Sequence, residues 1–225
     1  MNLIPVIYEN NEIVIVNKPA GAAVQGGEKI AHPLDEELPK QLGYKIYLVH
    51  RLDRDTAGLL IVAKTPAAAA KWIKLIGEKQ VHKEYCAVCI GTPRNGKKGT
   101  ITASVEQNGV EKNAVTYYEV TAAVQIPVTD SDETKKSYTL SMLHLTLGTG
   151  RMHQLRIHLA KAGCPIAGDD QHGDFRVNKL LRRAAGIKQL MLAAVKLTIP
   201  LDGKLQTFEI PLPAHMQNIF DTYFA

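Results

Sequence analysis

Short runs of β-branched and aliphatic residues, bounded by Pro, Gly and Asp, recur along this chain more often than helical periodicity does. Ile13-Val-Ile-Val16 starts one such run, and Pro19 and Gly21 end it, since neither continues a central ladder. Residues 45–50 and 59–63 are two more, so the polar stretch between them reads as a strand-to-strand connection held at both ends. Strands are also expected at 84–90, 100–105, 114–124, 138–147, 190–199 and 205–210. Helices are fewer. A weak one is expected at 35–42, and one at 66–76 starts on Thr65-Pro66, with the hydroxyl at the cap and Pro in the first turn. Another covers 152–162, where Leu155, Leu159 and Ala162 stand at helical spacing and Gly163 terminates, and a last one covers 214–220. Strands without regular alternation with helices predict an α+β fold with a mixed, largely antiparallel central sheet and flanking helices, against a doubly wound parallel one. No internal repeat or Pro/Ser/Gly-rich linker is visible, so residues 1–225 read as one domain.

Composition adds bounds. The chain has 225 residues, 45% hydrophobic and 22% charged, which is ordinary for a globular protein. No apolar run reaches membrane-spanning length and Met1-Asn-Leu-Ile-Pro5 is no signal peptide, so a cytoplasmic protein without a membrane partner is expected. A net charge of +5 favours a polyanionic partner, although a solvated cationic face produces the same number. Cys86, Cys89 and Cys164 form no disulfide framework. On a strand, the odd separation of Cys86 and Cys89 sends their thiols to opposite faces, which favours a structural role over a redox or zinc pair.

The connection Val49-His-Arg-Leu-Asp-Arg-Asp-Thr-Ala-Gly58 places a carboxylate, cations and a small-residue turn between two apolar runs, as an active-site loop does. Asp53 therefore sits on a rigid scaffold. Gly91-Thr-Pro-Arg-Asn-Gly-Lys97 has the spacing of a phosphate loop, but Lys98 stands where a hydroxyl must reach magnesium, so a turn is the better reading. Asp53, Asp55, Asp169 and Asp170 leave a magnesium-dependent nuclease open, against which stand the arginines flanking Asp53 and Asp55. The histidines show no pair at metal-ligand helical spacing. In Thr149-Gly-Arg-Met-His-Gln-Leu-Arg-Ile-His-Leu-Ala160, Arg156 lies at the edge of an apolar helical stripe and needs an anionic partner, catalytic or merely structural.

His50-Arg-Leu-Asp-Arg-Asp-Thr-Ala-Gly58 and Gly150-Arg-Met-His-Gln-Leu-Arg-Ile-His158, about a hundred residues apart, both resemble signatures of the RluA-type RNA pseudouridine synthases. Asn17-Lys-Pro-Ala-Gly21, Lys83-Glu-Tyr-Cys-Ala87 and Gly163-Cys-Pro-Ile-Ala-Gly-Asp169 are similar to further segments of that family. The resemblance implies a pseudouridine synthase fold with a central cleft. It also implies isomerisation of uridine in structured RNA, with large-subunit ribosomal RNA preferred and transfer RNA as the alternative. Asp53 would do the chemistry, Arg156 would keep it ionised, and Tyr85 would pack on the target uracil. Arg51 would fill the gap left by a flipped base, Leu192 would supply an apolar floor, and His50 and Arg151 would make further substrate contacts. Taken without the family, Tyr85 reads as a core strand tyrosine. No cofactor and no metal are implied, and a monomer is expected. The family often carries a small RNA-binding domain in front, and none is expected here. A non-catalytic RNA-binding module on the same fold is the rival, because Ala57 replaces a usual Ser, Met152 a Thr, Cys164 a His, His172 a Tyr and Ala193 a His.

Overall fold

The computed structural model describes residues 3–27, 30–129 and 134–225, which form two compact units. The first comprises Met1–Lys83 and Ala194–Pro211. Its strands are β1 (Val6–Glu9), β2 (Ile13–Lys18), β3 (Tyr47–Leu48), β4 (Ala57–Ala63), most of β9 (Leu192–Leu201) and β10 (Lys204–Glu209), and its helices are α1 (Leu34–Leu42) and α2 (Pro66–Gly77). The order is β1-β2-β4-β9, with β3 on β4 and β10 on β9. Every residue of β4 is buried, which is why its sequence is a continuous apolar run rather than an alternation. Ile13, Ile15, Leu59, Ile61, Leu197 and Ile199 pack with Trp72 of α2 in one core. The Trp72 indole N–H donates to Glu12 at 3.2 Å, and the Thr65 hydroxyl caps α2 by accepting from the Ala68 N–H at 3.1 Å.

The second unit comprises Glu84–Ala193 and Leu212–Ala225. It holds β5 (His82–Ile90) from Glu84 onward, β6 (Lys98–Gln107), β7 (Val110–Thr129) and β8 (Lys135–Leu147) in the order β5-β8-β7-β6. Its helices are α3 (Gln154–Lys161), α4 (Phe175–Ala184) and α5 (Ala214–Tyr223). The pairs β5–β8, β8–β7 and β7–β6 are all antiparallel. Among the described residues the chain thus has ten strands and five helices, the α+β mixed sheet expected.

Two elements were not anticipated. β1 is four mostly exposed residues at the end of the strand order, too short and too polar in its flanks to show a period. α4 reads in sequence as a basic stretch, yet Val177, Leu180 and Leu181 are its buried stripe and Asp174 caps it, accepting the Val177 N–H at 3.0 Å. β7 also runs past its expected end at 124. Its ladder with β6 ends at Glu119 and the Val120 N–H still donates to the Lys97 carbonyl at 2.6 Å; past Val120, among the described residues, β7 pairs with β8 alone, and a strand with one free edge tolerates Pro127.

Candidate active site

In the first unit, β3 and β4 are joined by the segment carrying His50, Arg51 and Asp53. Asp53 opens a turn closed by the Thr56 N–H donating to its carbonyl at 3.2 Å, the position where Asp is favoured. Arg54, inside that turn, is the anchor. Its carbonyl accepts the Gly21 N–H at 2.9 Å and the Lys18 ammonium at 2.7 Å, and its own Nε donates to the Gly21 carbonyl at 3.1 Å. Lys18 is fully buried, and its Nζ also donates to the carbonyls of Ala22 at 2.7 Å and Pro19 at 3.0 Å. All three ammonium donors are therefore spent on backbone, two on the segment after β2 and one on the Asp53 turn. Gly58 ends the loop at φ +112, where an added Cβ would lie 2.1 Å from the Ala194 carbonyl oxygen, so no other residue fits this close approach.

His50 and Lys83 belong to the same unit. His50 Nε2 accepts the Ile61 N–H at 3.0 Å just beyond the β3–β4 ladder, and its Nδ1 is buried with no hydrogen-bond partner among the described residues. Burial, reinforced by the Lys83 charge, holds the ring well below the ordinary histidine range. Burial also brings Lys83 down to about 8, and brings Lys18 down to about 7 against the opposing charges of Asp55 and Asp53.

These shifts predict a pH dependence of stability. Above about pH 7 the unfolded chain keeps protons on both lysines that the folded chain releases, and near pH 6 it takes one on His50 that the folded chain refuses. Stability therefore rises with pH through this window. Urea melts at about pH 6 and about pH 8.5 should differ by about 3–4 kcal/mol in favour of the higher pH, and a flat or opposite trend would contradict the lowered values of these groups.

In the second unit, the segment 149–154 is built around Gln154, which is 2% exposed. Its Oε1 accepts from the Arg151 N–H at 3.0 Å and the Thr149 hydroxyl at 2.7 Å, while its Nε2 donates to the Val115 carbonyl at 2.9 Å and Thr116 Oγ1 at 3.1 Å. A fully satisfied buried amide locks the start of α3 onto β7. Two residues further along α3, Arg156 is 7% exposed and donates from Nε and Nη2 to the two carboxylate oxygens of Asp169, both at 2.8 Å. Asp169 also accepts the backbone N–H groups of Gln171 and His172, each at 3.0 Å. Burial by itself would raise the Asp169 carboxyl, but Arg156 and the His172 and Gln171 N–H groups outweigh it and hold it below its usual value. Asn178 of α4 completes the support, donating to the Asp169 carbonyl at 2.9 Å and accepting the Gly168 N–H at 3.0 Å.

The sequence candidates fall into two sets. His50, Arg51 and Asp53 share the loop of the first unit, Arg51 exposed and Asp53 half-buried. Tyr85, Arg151, Arg156 and Leu192 belong to the second, Tyr85 buried on β5 opposite Leu145 and Leu192 buried at the start of β9. Arg151 is exposed, with its Nε 3.5 Å from the Asn113 carbonyl. Asp169, in sequence a possible magnesium ligand and the end of the Gly163–Asp169 segment, is the bidentate partner of Arg156. Asp170 instead lies 3.6 Å from Arg182. Among the described residues, no three His, Cys, Asp or Glu side chains are grouped to hold a metal ion. Gly91–Lys97 is the turn between β5 and β6. Of the departures, Ala57, Cys164 and Ala193 are buried and act through packing, while Met152 is 49% exposed and the His172 ring meets His153 at 2.9 Å, Nε2 to Nδ1.

Residues 12–161 match the family described as RNA pseudouridylate synthase. A ribosomal large subunit pseudouridine synthase C from Rickettsia felis is 35% identical over 230 residues, covering 95% of this chain and 69% of the relative. One from Rickettsia conorii is 39% identical over 184 residues, covering 75% of this chain and 56% of the relative. An uncharacterized RNA pseudouridine synthase of Bacillus subtilis is 33% identical over 235 residues, covering 98% and 72%. In fold, the chain superposes on human RNA pseudouridylate synthase domain containing 4 with a TM-score of 0.74 at 22% identity, over 96% of this chain and 92% of that one.

Proposed function

The chain belongs to the RNA pseudouridylate synthase family and is an RNA pseudouridine synthase; from that premise we propose that its substrate is large-subunit ribosomal RNA and that Asp53 does the chemistry. The reaction breaks the N1–C1′ glycosidic bond of a uridine, turns the uracil, and joins C5 to C1′ with release of the C5 hydrogen. Asp53 acts either as a nucleophile toward base or ribose or as the base that removes a ribose proton. Both routes start from a carboxylate held in place. The observation that carries the assignment is the backbone investment around it: a buried lysine, a β-turn and a glycine with no room for a side chain all converge on the loop that bears Asp53.

The Arg156 guanidinium is oriented from Nε and Nη2 by Asp169. In this reading Arg156 serves the chemistry of Asp53, Tyr85 faces the uracil, and Leu192 floors the pocket. Arg51, exposed on the catalytic loop, takes the place of the base that leaves its stack, an extrusion that costs a few kcal/mol. A planar guanidinium can stack on the neighbours left behind, which an ammonium cannot.

The preference for large-subunit ribosomal RNA rests on the names of the relatives. Pseudouridine mapping of total RNA from cells with and without this protein tests it. The expected result is the loss of one or a few positions confined to large-subunit ribosomal RNA. Loss confined to transfer RNA would replace the substrate and keep the enzyme.

A further inference from the structure

We propose that the outer face of α4 docks a short single-stranded RNA segment adjoining the modified uridine, with Phe175 as a base-stacking platform and Lys179 and Arg183 as phosphate contacts. The proposal rests on the reading of the chain as an enzyme of RNA. α4 carries four cations and no carboxylate. They are not equivalent. Arg182 lies 3.6 Å from Asp170 and is partly neutralised, whereas Lys179 and Arg183 are exposed and make no hydrogen bond or ion pair among the described residues. Phe175 is 68% exposed at the first position of the helix. A lone exposed aromatic residue is common on protein surfaces. Here it stands four residues before Lys179 and eight before Arg183, so the three side chains line up along one stripe.

That stripe is about 12 Å long at about 1.5 Å per residue, on the order of three steps of a stacked strand at about 3.4 Å each. An aromatic face beside spaced cations is how proteins hold single strands without reading their sequence. The location matters as well. The opposite face of α4 carries Asn178, which is bonded to the Asp169 carbonyl and the Gly168 N–H, and Asp169 in turn holds Arg156. A strand seated on the stripe therefore lies on the helix whose Asn178 braces the Arg156–Asp169 pair. An anionic membrane would also meet cations and an aromatic ring. A helix of ten residues with a single exposed apolar side chain offers it too little to bury, and RNA is the better fit.

The test uses the full chain, an RNA hairpin with and without a five-nucleotide single-stranded oligouridine tail, and phosphatidylserine vesicles. The tail should tighten binding to the wild-type protein. Phe175→Ala should weaken binding of the tailed hairpin by about 5- to 100-fold and leave the untailed one unchanged, and Phe175→Trp should restore the difference. The Phe175→Trp indole should also be quenched by the tailed RNA, while the buried Trp72 stays silent. Lys179→Gln with Arg183→Gln should lower the log–log salt slope on the tailed RNA by about 1.4, at about 0.7 per single-strand phosphate contact. Equal loss on both hairpins, no loss on either, or tighter binding to vesicles than to tailed RNA would overturn the proposal. Tail-dependent binding without pseudouridine formation would keep the surface and reject the enzyme reading. Pseudouridine formation without any tail effect would do the reverse.

Discussion

Asp53→Asn is expected to abolish turnover, by about 1000-fold or more, while the protein still folds and binds RNA. The turn at this position does not depend on the charge, because the bond that closes it runs from the Thr56 N–H to the Asp53 backbone carbonyl. The wider loop is tied down by Lys18 and Gly21 through the Arg54 carbonyl. An amide keeps the shape of the side chain and loses the nucleophilic or basic oxygen. Tritium release from RNA labelled at carbon five of uridine measures the reaction directly, since the C5 hydrogen leaves when C5 joins the ribose. A melting temperature within about 4 °C of wild type, equivalent to about 1 kcal/mol for a chain of this size, would show that the loss is chemical. Release above about a tenth of the wild-type rate in a folded Asp53→Asn protein would remove Asp53 from the chemistry. A magnesium-dependent nuclease would lose activity on chelation, which the synthase reading does not expect.

Much of this was legible in the sequence because it lay in periods and short motifs. The buried run of β4, the Thr65 cap of α2 and the Gly163 stop of α3 are local signals, and each fell within a few residues of its expected place. The Asp53 loop was visible because polar residues between two apolar runs have few explanations. What lay hidden was non-local. Lys18 looks like a surface lysine at the end of a strand, and its role depends on three carbonyls, one of them 36 residues away. Asp169 could be collected with other carboxylates by composition alone, and only the fold brings it to both donors of Arg156. α4 was obscured by its own cations, although the Asp174 cap followed by apolar residues at three- and four-residue spacing was available. Reading that helix would also have shown Arg182 and Arg183 to differ, one facing Asp170 and the other solvent.

Asp169→Ala carries the largest expected loss of stability. It leaves the Arg156 guanidinium buried without its bidentate partner and strands the N–H groups of Gln171 and His172, and breaking a buried pair from one side costs about 3–5 kcal/mol. At about 2–4 °C per kcal/mol the melting temperature should fall by roughly 6–20 °C. Turnover should fall with it, because Arg156 loses the contacts that orient it. Two readings of the pair then separate on a double variant, Arg156→Met with Asp169→Asn. Replacing both charges with groups of similar volume removes the unpaired cation, and the Asn carbonyl still accepts from the Gln171 and His172 N–H groups, so most of the stability should return. If the pair were only structural, turnover would return as well. With Arg156 serving Asp53, the double variant should melt near wild type and still release tritium at least about 100-fold more slowly. A stable double variant with near-normal turnover would reduce Arg156 and Asp169 to an ion pair of the fold, and would leave Lys18, which feels the Asp55 and Asp53 charges, as the cation serving Asp53.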